Sequence, residues 1–184
     1  MNLDTHLQEV YKKYKNNPQL ENGYTYASYI NRVLRENVTL ESQYEDEIRL
    51  LDRLTDVYAT KKDLTVYRTC CDYTFENYID NNDVFTYPMF MSVSIYKEYV
   101  AKKFSEQDCK NCLLEITLPK ETKLAPLEGQ PGETKEEQEL LLPRNTKFKV
   151  ISKDRISEDE VEILIGKSPF KIEFSYFFKL QKIK

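Results

Sequence analysis

Leu64-Thr65-Val66-Tyr67-Arg68-Thr69 is the stretch at which the hydrophobic period of the chain changes. Upstream, between Asp4 and Tyr58, apolar residues recur at helical spacing: Leu7, Val10, Tyr11 and Tyr14, then Tyr26, Ile30, Val33 and Leu34, then Ile48, Leu51 and Leu54. That spacing predicts helices with one buried face. Asn17-Pro18 divides the first from the second, and Ser42-Gln43-Tyr44-Glu45 reads as a capping box opening the third. From Leu64 onward short β-branched and aromatic runs take over: Leu113 to Leu118, Phe148 to Ser152, Val161 to Ile165 and Ile172 to Leu180. In the last run Ile172, Phe174, Tyr176 and Phe178 alternate with Lys171, Glu173 and Ser175, a strand with one buried face and, Phe177 apart, a polar one. Glu121 to Glu136, with Pro126, Gly129, Pro131 and Gly132, reads as the main irregular segment, and a loop of that length in a compact domain is often functional. Helices followed by strands without regular alternation predict an α+β fold.

With 184 residues, 4 of them Gly and none Trp, the chain has the length of one domain, able to bury roughly 70% of its unfolded surface. No linker or repeat divides it. The formal charge of -4 argues against a strongly basic nucleic-acid binder. No run approaches a membrane-spanning length, and Met1 to Asn16 lacks the apolar core of a signal peptide, so the expectation is a cytoplasmic protein with no membrane partner. Four cysteines, two of them the neighbours Cys70 and Cys71, are too sparse for a disulfide scaffold and favour free thiols. Cys109 and Cys112 complete a zinc count, but neighbours on a strand face opposite ways, so no metal is expected.

Four glycines cannot form a dinucleotide-binding Gly-x-Gly-x-x-Gly turn or a Walker loop. The one histidine, His6, stands in a polar helix with no visible catalytic partners. The informative residues are Arg68, the serines of Met91-Ser92-Val93-Ser94, and the acids of Glu136-Glu137-Gln138-Glu139-Leu140-Leu141-Leu142-Pro143. Singly they read as a sheet-surface charge, ordinary strand hydroxyls and the polar face of a strand. Together they form an ordered set, each at a strand signal, with 24 residues from Arg68 to Ser92 and 45 from Ser94 to Glu139.

That set resembles the arginine-serine-glutamate class of mono-ADP-ribosyltransferases, the family of NAD-consuming toxins and phage host-modifying enzymes. The resemblance covers most of the chain. Tyr24 to Arg35 is similar to the family's helix with an Ile-Asn-x-x-Leu-Arg core, Leu64 to Arg68 to its first catalytic strand, and Phe90-Met91-Ser92-Val93-Ser94 to its Ser-Thr-Ser strand, with Val93 replacing Thr. Glu137-Gln138-Glu139 and Thr146 to Val150 match the Glu-x-Glu strand and its successor. Thr69-Cys70 replaces the small residue that often follows the arginine. The resemblance implies an N-terminal helical lobe, residues 1–60, and a β-rich core, residues 61–184, with two packed, mainly antiparallel sheets enclosing an NAD cleft.

It also implies roles. NAD is the substrate, and breaking its nicotinamide-ribose bond passes through an oxocarbenium-like sugar, which a carboxylate beside it stabilises. On the family pattern that carboxylate is Glu139, which also binds a ribose hydroxyl. Arg68, a planar and permanently charged fork, suits the pyrophosphate. Ser92 holds Glu139 and the nicotinamide end, with Ser94 in support, and Tyr87, Phe90 or Phe104 is a candidate to stack on the dinucleotide. Glu137, two residues before Glu139 and on the same face if the strand is regular, goes in this family with arginine as acceptor, orienting the guanidinium and taking its proton. The segment from Ala125 to Glu136 occupies the place of the target-recognition loop, and its Glu128, Glu133 and Glu136 would draw in a basic surface of a target protein.

The expectation is a monomeric, NAD-dependent mono-ADP-ribosyltransferase acting on a protein arginine in the cytoplasm, the host's if the chain is phage-encoded. Three rivals stay open: an NAD glycohydrolase, a transferase with an RNA acceptor, and a catalytically silent protein-binding module.

Overall fold

Asp4 opens the first helix by accepting a 2.9 Å bond from the N–H of Leu7, satisfying one of the donors that a helix start leaves unpaired. The computed structural model describes residues 4–37, 42–70, 79–80, 82–97, 99–100, 112–127, 138–157, 159–160 and 176–183. Helix α1 spans Thr5–Asn16, α2 Tyr26–Glu36 and α3 Ser42–Thr55. Asn17 and Asn37, at φ 45° and 50°, end the first two helices in the left-handed conformation, each with its N–H on the carbonyl four residues back. The expected stripes are buried, Leu34 excepted, which is half-buried: Leu7, Val10, Tyr11 and Tyr14 on α1, Tyr26, Ile30 and Val33 on α2, and Ile48, Leu51 and Leu54 on α3. Lys13 Nζ on Glu47 Oε1 at 2.6 Å ties α1 to α3.

The described strands are β1 Tyr58–Ala59, β2 Leu64–Cys70, β3 Val84–Tyr87, β4 Met91–Ser94, β5 Cys112–Leu118, β6 Lys123–Pro126, β7 Glu139–Leu142, β8 Thr146–Asp154 and β9 Tyr176–Lys182. They are hydrogen-bonded in the order β1-β6-β7-β4-β2-β5-β9-β8-β3, with only β5 and β9 parallel among these pairs. The α+β, mainly antiparallel architecture is therefore as expected. The two sheets are halves of one ladder, joined at the β2–β4 seam. There Tyr67 opposite Ser94 is the single registered pair, whereas β2 runs along β5 from Leu64↔Leu118 to Cys70↔Cys112.

Two apolar clusters explain the layering. One lies between the halves, with Met91, Val93, Leu124 and Leu142 from the first and Val66, Leu114, Phe148 and Phe178 from the second. The other packs the three helices onto the first half through Phe90, Ala125, Leu127 and Leu141. Strand β7 is therefore buried on both faces, Leu141 toward the helices and Leu142 toward the other half.

The structure departs from the pattern reading in several places. Tyr58, placed at the end of the helical region, is in β1, paired with Leu124 of β6. Lys123–Pro126, read as irregular because of its proline, forms β6: Ala125 and Pro126 lie opposite Leu141 and Leu140. Val161 to Ile165 and residues 172–175 lie outside the described residues.

Leu141→Ala and Leu142→Ala should each lower unfolding free energy by about 2–5 kcal/mol in denaturant titrations, as buried leucine truncations do. A strand with one buried face would lose stability at only one of the two positions.

Candidate active site

The seam between β2 and β4 is also where the fold opens. A cavity of about 460 Å³ lies there, lined by Tyr67, Arg68 and Thr69 of β2, Ser92, Val93 and Ser94 of β4, and Glu139 of β7; Tyr14, Lys15 and Asn17 at the end of α1 and Ala27 of α2 form the facing wall, with Tyr99 and Val100 beyond β4. Arg68, Ser92, Ser94 and Glu139, distant in sequence, thus share one cavity.

Arg68 reaches across the seam. Its Nη1 donates to the backbone carbonyl of Ser92 at 2.5 Å and its Nη2 to the Tyr87 hydroxyl at 3.4 Å, with the guanidinium 5.8 Å from the Tyr87 ring centre. Its Nε is buried and has no hydrogen-bond partner, and the guanidinium makes no ion pair among the described residues. Burial pulls its pKa down, but Tyr87, Cys70, Tyr14 and Glu139 together outweigh it, and the net shift is upward. A sheltered, permanent cation with a spare donor is what a pyrophosphate requires. The residues therefore fit the phosphate centre of a dinucleotide.

Glu139 begins β7, opposite Ser94 in register, while Ser92 stands opposite Leu141. Its carbonyl accepts the N–H of Leu127 at 2.9 Å, and that of Gln138 accepts the N–H of Ile95 at 3.4 Å. The ends of β6 and β4 thus pin its backbone on both sides. Its Oε2 is 3.1 Å from Lys15 Nζ.

Several sequence expectations change here. Ser92 lines the cavity and offers its backbone carbonyl to Arg68. The Ser94 hydroxyl bonds the N–H and carbonyl of Tyr96 at 3.0 and 3.2 Å, fixing the turn at the end of β4. Phe90 cannot stack on a dinucleotide, because it has no exposed surface and packs edge-on against Tyr14, 6.4 Å between ring centres. It buttresses the cavity wall instead. Tyr87 is buried but does reach Arg68. The regular strand that the Glu137–Glu139 alternation assumes does not run back through residue 138: β7 starts at Glu139, and Gln138 has a φ of 35°, outside extended geometry. Glu137, Phe104, Cys71, Cys109 and residues 128–136 of the proposed recognition loop lie outside the described residues.

The α1 contribution has no signature in the sequence. Tyr14 lay on the apolar stripe and read as core, which is half right, since burial pushes its hydroxyl pKa up while it walls the cavity. Lys15 looked like any lysine in a last helical turn. Among the described residues no group of three His, Cys, Asp or Glu could hold a metal.

Residues 8–171 match the family model for the ADP-ribosyltransferase exoenzyme. The chain is similar in fold to Plx2a, an ADP-ribosyltransferase toxin from Paenibacillus larvae, at TM-score 0.68 and 17% identity, covering 99% of this chain and 88% of that one. C3larvin toxin, an ADP-ribosyltransferase from the same organism, gives 0.65 and 20% over 100% and 90%. C3stau2 from S. aureus, solved with NAD, gives 0.68 and 18% over 100% and 89%. There is no match among curated protein sequences.

A buried cation with a spare donor is retained at the expense of stability. Arg68→Met should leave the denaturation midpoint unchanged or raise stability by up to about 2 kcal/mol, while abolishing dinucleotide binding in calorimetry.

Proposed function

The chain belongs to the ADP-ribosyltransferase exoenzyme family, an NAD-dependent mono-ADP-ribosyltransferase, and from that membership we propose that it transfers ADP-ribose to an arginine side chain of a target protein. The observation that carries the assignment of roles is the shared cavity: Arg68, with its unpartnered Nε, and the Glu139 carboxylate line the same space.

In this reading Arg68 binds the pyrophosphate of NAD, replacing a glycine-rich loop and helix N-terminus with one guanidinium. The bond from nicotinamide nitrogen to ribose C1 breaks, nicotinamide leaves with the bonding pair, and the positive charge develops on the sugar beside Glu139. Glu139 stabilises that charge and accepts a ribose hydroxyl, gaining most where the charge is largest. Ser92 and Ser94 line the cavity and keep the sugar in place. A guanidinium nitrogen of the target then bonds to C1, and Glu137 takes the proton that this nitrogen sheds as it attacks. The products are ADP-ribosyl-arginine, nicotinamide and a proton.

The identity of the acceptor rests on Glu137 and on the resemblance to arginine-modifying relatives. The acidic 125–136 loop, which continues from β6, is the proposed contact to a basic target surface. In this reading the helical lobe, residues 1–60, and the β-rich core, residues 61–184, work as one domain, which the lining of the cavity by residues of α1 and α2 supports. No described helix is long and apolar enough to cross a membrane.

Incubation of the purified chain with labelled NAD and a cell lysate tests this. Label is expected in a discrete protein band, on a linkage cleaved by neutral hydroxylamine as arginine conjugates are. Glu139→Gln should reduce both labelling and nicotinamide release by 10²-fold or more, roughly the size of losing one transition-state charge contact. Glu137→Gln should abolish labelling while nicotinamide is still released. Label stable to hydroxylamine would overturn arginine as the acceptor.

A further inference from the structure

Glu139 is met from the opposite wall of the cavity by Lys15, whose Nζ stands 3.1 Å from Oε2. The two side chains are 15% and 24% exposed, so the pair is screened far less than a surface ion pair. Lys15 sits in the last turn of α1, and that turn is anchored. Asn17 closes it through its own N–H, and the Asn17 side-chain oxygen accepts the N–H of Ala27 at 2.8 Å, locking the end of α1 to the start of α2. The neighbouring Lys13–Glu47 pair ties the same turn to α3. A cation there also lies in the favourable field at a helix C-terminus. The ammonium is therefore presented by a fixed backbone to a carboxylate whose own backbone is pinned by Leu127 and Ile95.

We propose that Lys15 is a positioning residue for the transfer reaction: its ammonium, held by the end of α1, keeps the Glu139 carboxylate aimed into the cavity at the reacting sugar. This rests on the reading of Glu139 given above. A carboxylate has about four acceptor sites, so one ammonium on Oε2 does not exhaust it, and a ribose hydroxyl can still be bound. Among the described residues, the other charged or titratable groups lining the cavity are Arg68 and Tyr67 of β2, Tyr14 of α1 and Tyr99. Arg68 donates through its Nη atoms to the Ser92 carbonyl and Tyr87; Lys15 is in direct contact with the carboxylate. The stabilisation a carboxylate gives to a developing cation depends on where it stands, and a displacement of ~1 Å can slow an enzyme about 10²-fold.

The test compares Lys15→Met, which keeps the aliphatic stem, with Lys15→Arg, Glu139→Gln and the double variant Lys15→Met/Glu139→Gln, all in the full chain. Nicotinamide release at saturating NAD gives kcat, and calorimetry gives the Kd for NAD. Lys15→Met is expected to lower kcat about ten- to hundredfold with the Kd for NAD within about twofold of wild type, the pattern of a lost transition-state contact. Lys15→Arg should restore most of the rate. The double variant should be no slower than Glu139→Gln alone, since a residue acting through Glu139 has nothing left to position. Wild-type or faster turnover in Lys15→Met overturns the proposal, as does a Kd for NAD weakened as much as kcat/KM falls, which would make Lys15 a phosphate ligand. Losses that multiply in the double variant overturn it too. Should Lys15→Met fail to fold, Lys15→Gln is judged by the same criteria. Glu139→Gln at wild-type speed would overturn the reading of Glu139 and this proposal with it, whereas a normal Glu139→Gln defect beside an unimpaired Lys15→Met overturns only the role of Lys15.

Discussion

One guanidinium on one carbonyl bridges the place where the sheet is most weakly joined. Strands β2 and β4 share a single registered pair, and Arg68 spans the rest of that junction by donating to the Ser92 backbone. The bond serves two ends. It crosses the junction where the backbone ladder does not, and it places a cation in the gap that the missing ladder leaves. A continuous β2–β4 ladder would have closed the space a ligand needs. Pockets where packed layers part are common binding sites, and here the parting and the charged side chain are products of the same strand.

The charges in the cavity follow from that geometry. Arg68 stands on one side with an unpartnered buried donor, Glu139 on another with its carboxylate on Lys15. In the function proposed above, a helix N-terminus, the usual anion site of dinucleotide-binding folds, is replaced by a side chain that carries full charge at any physiological pH. The arrangement is poor for stability and good for binding, because an unsatisfied donor sheltered from water gains most when an anion arrives.

Much of this was legible in the chain. The helical stripes of α1, α2 and α3 are cleanly periodic and, apart from the half-buried Leu34, are buried as written, and the change of period at Leu64 marks the start of the β-rich region to within a short strand. Arg68, Ser92 and Glu139 were recoverable from strand signals and order, and they do converge. What failed depended on tertiary context. β6 carries a proline but pairs through Ala125 and Pro126 beside β7, and β1 is two residues long, too short for any period. Phe90 has the chemistry of a stacking residue, and only packing reveals that Tyr14 covers it. The strand regularity that the Glu137 pairing assumes stops at Gln138, whose positive φ no glycine or asparagine announces. Lys15 could not be found at all, since its partner lies 124 residues away.

That separation has a kinetic consequence. The cavity draws on α1, β2, β4 and β7, so neither the first half of the chain nor the second contains a site, and no local hairpin or helical pair approximates one. Contacts of such long range form late, after the loops between them have been closed. An unfolded or partly refolded chain is therefore inert toward NAD, and the appearance of activity marks completion of the whole topology and not of any one part of it.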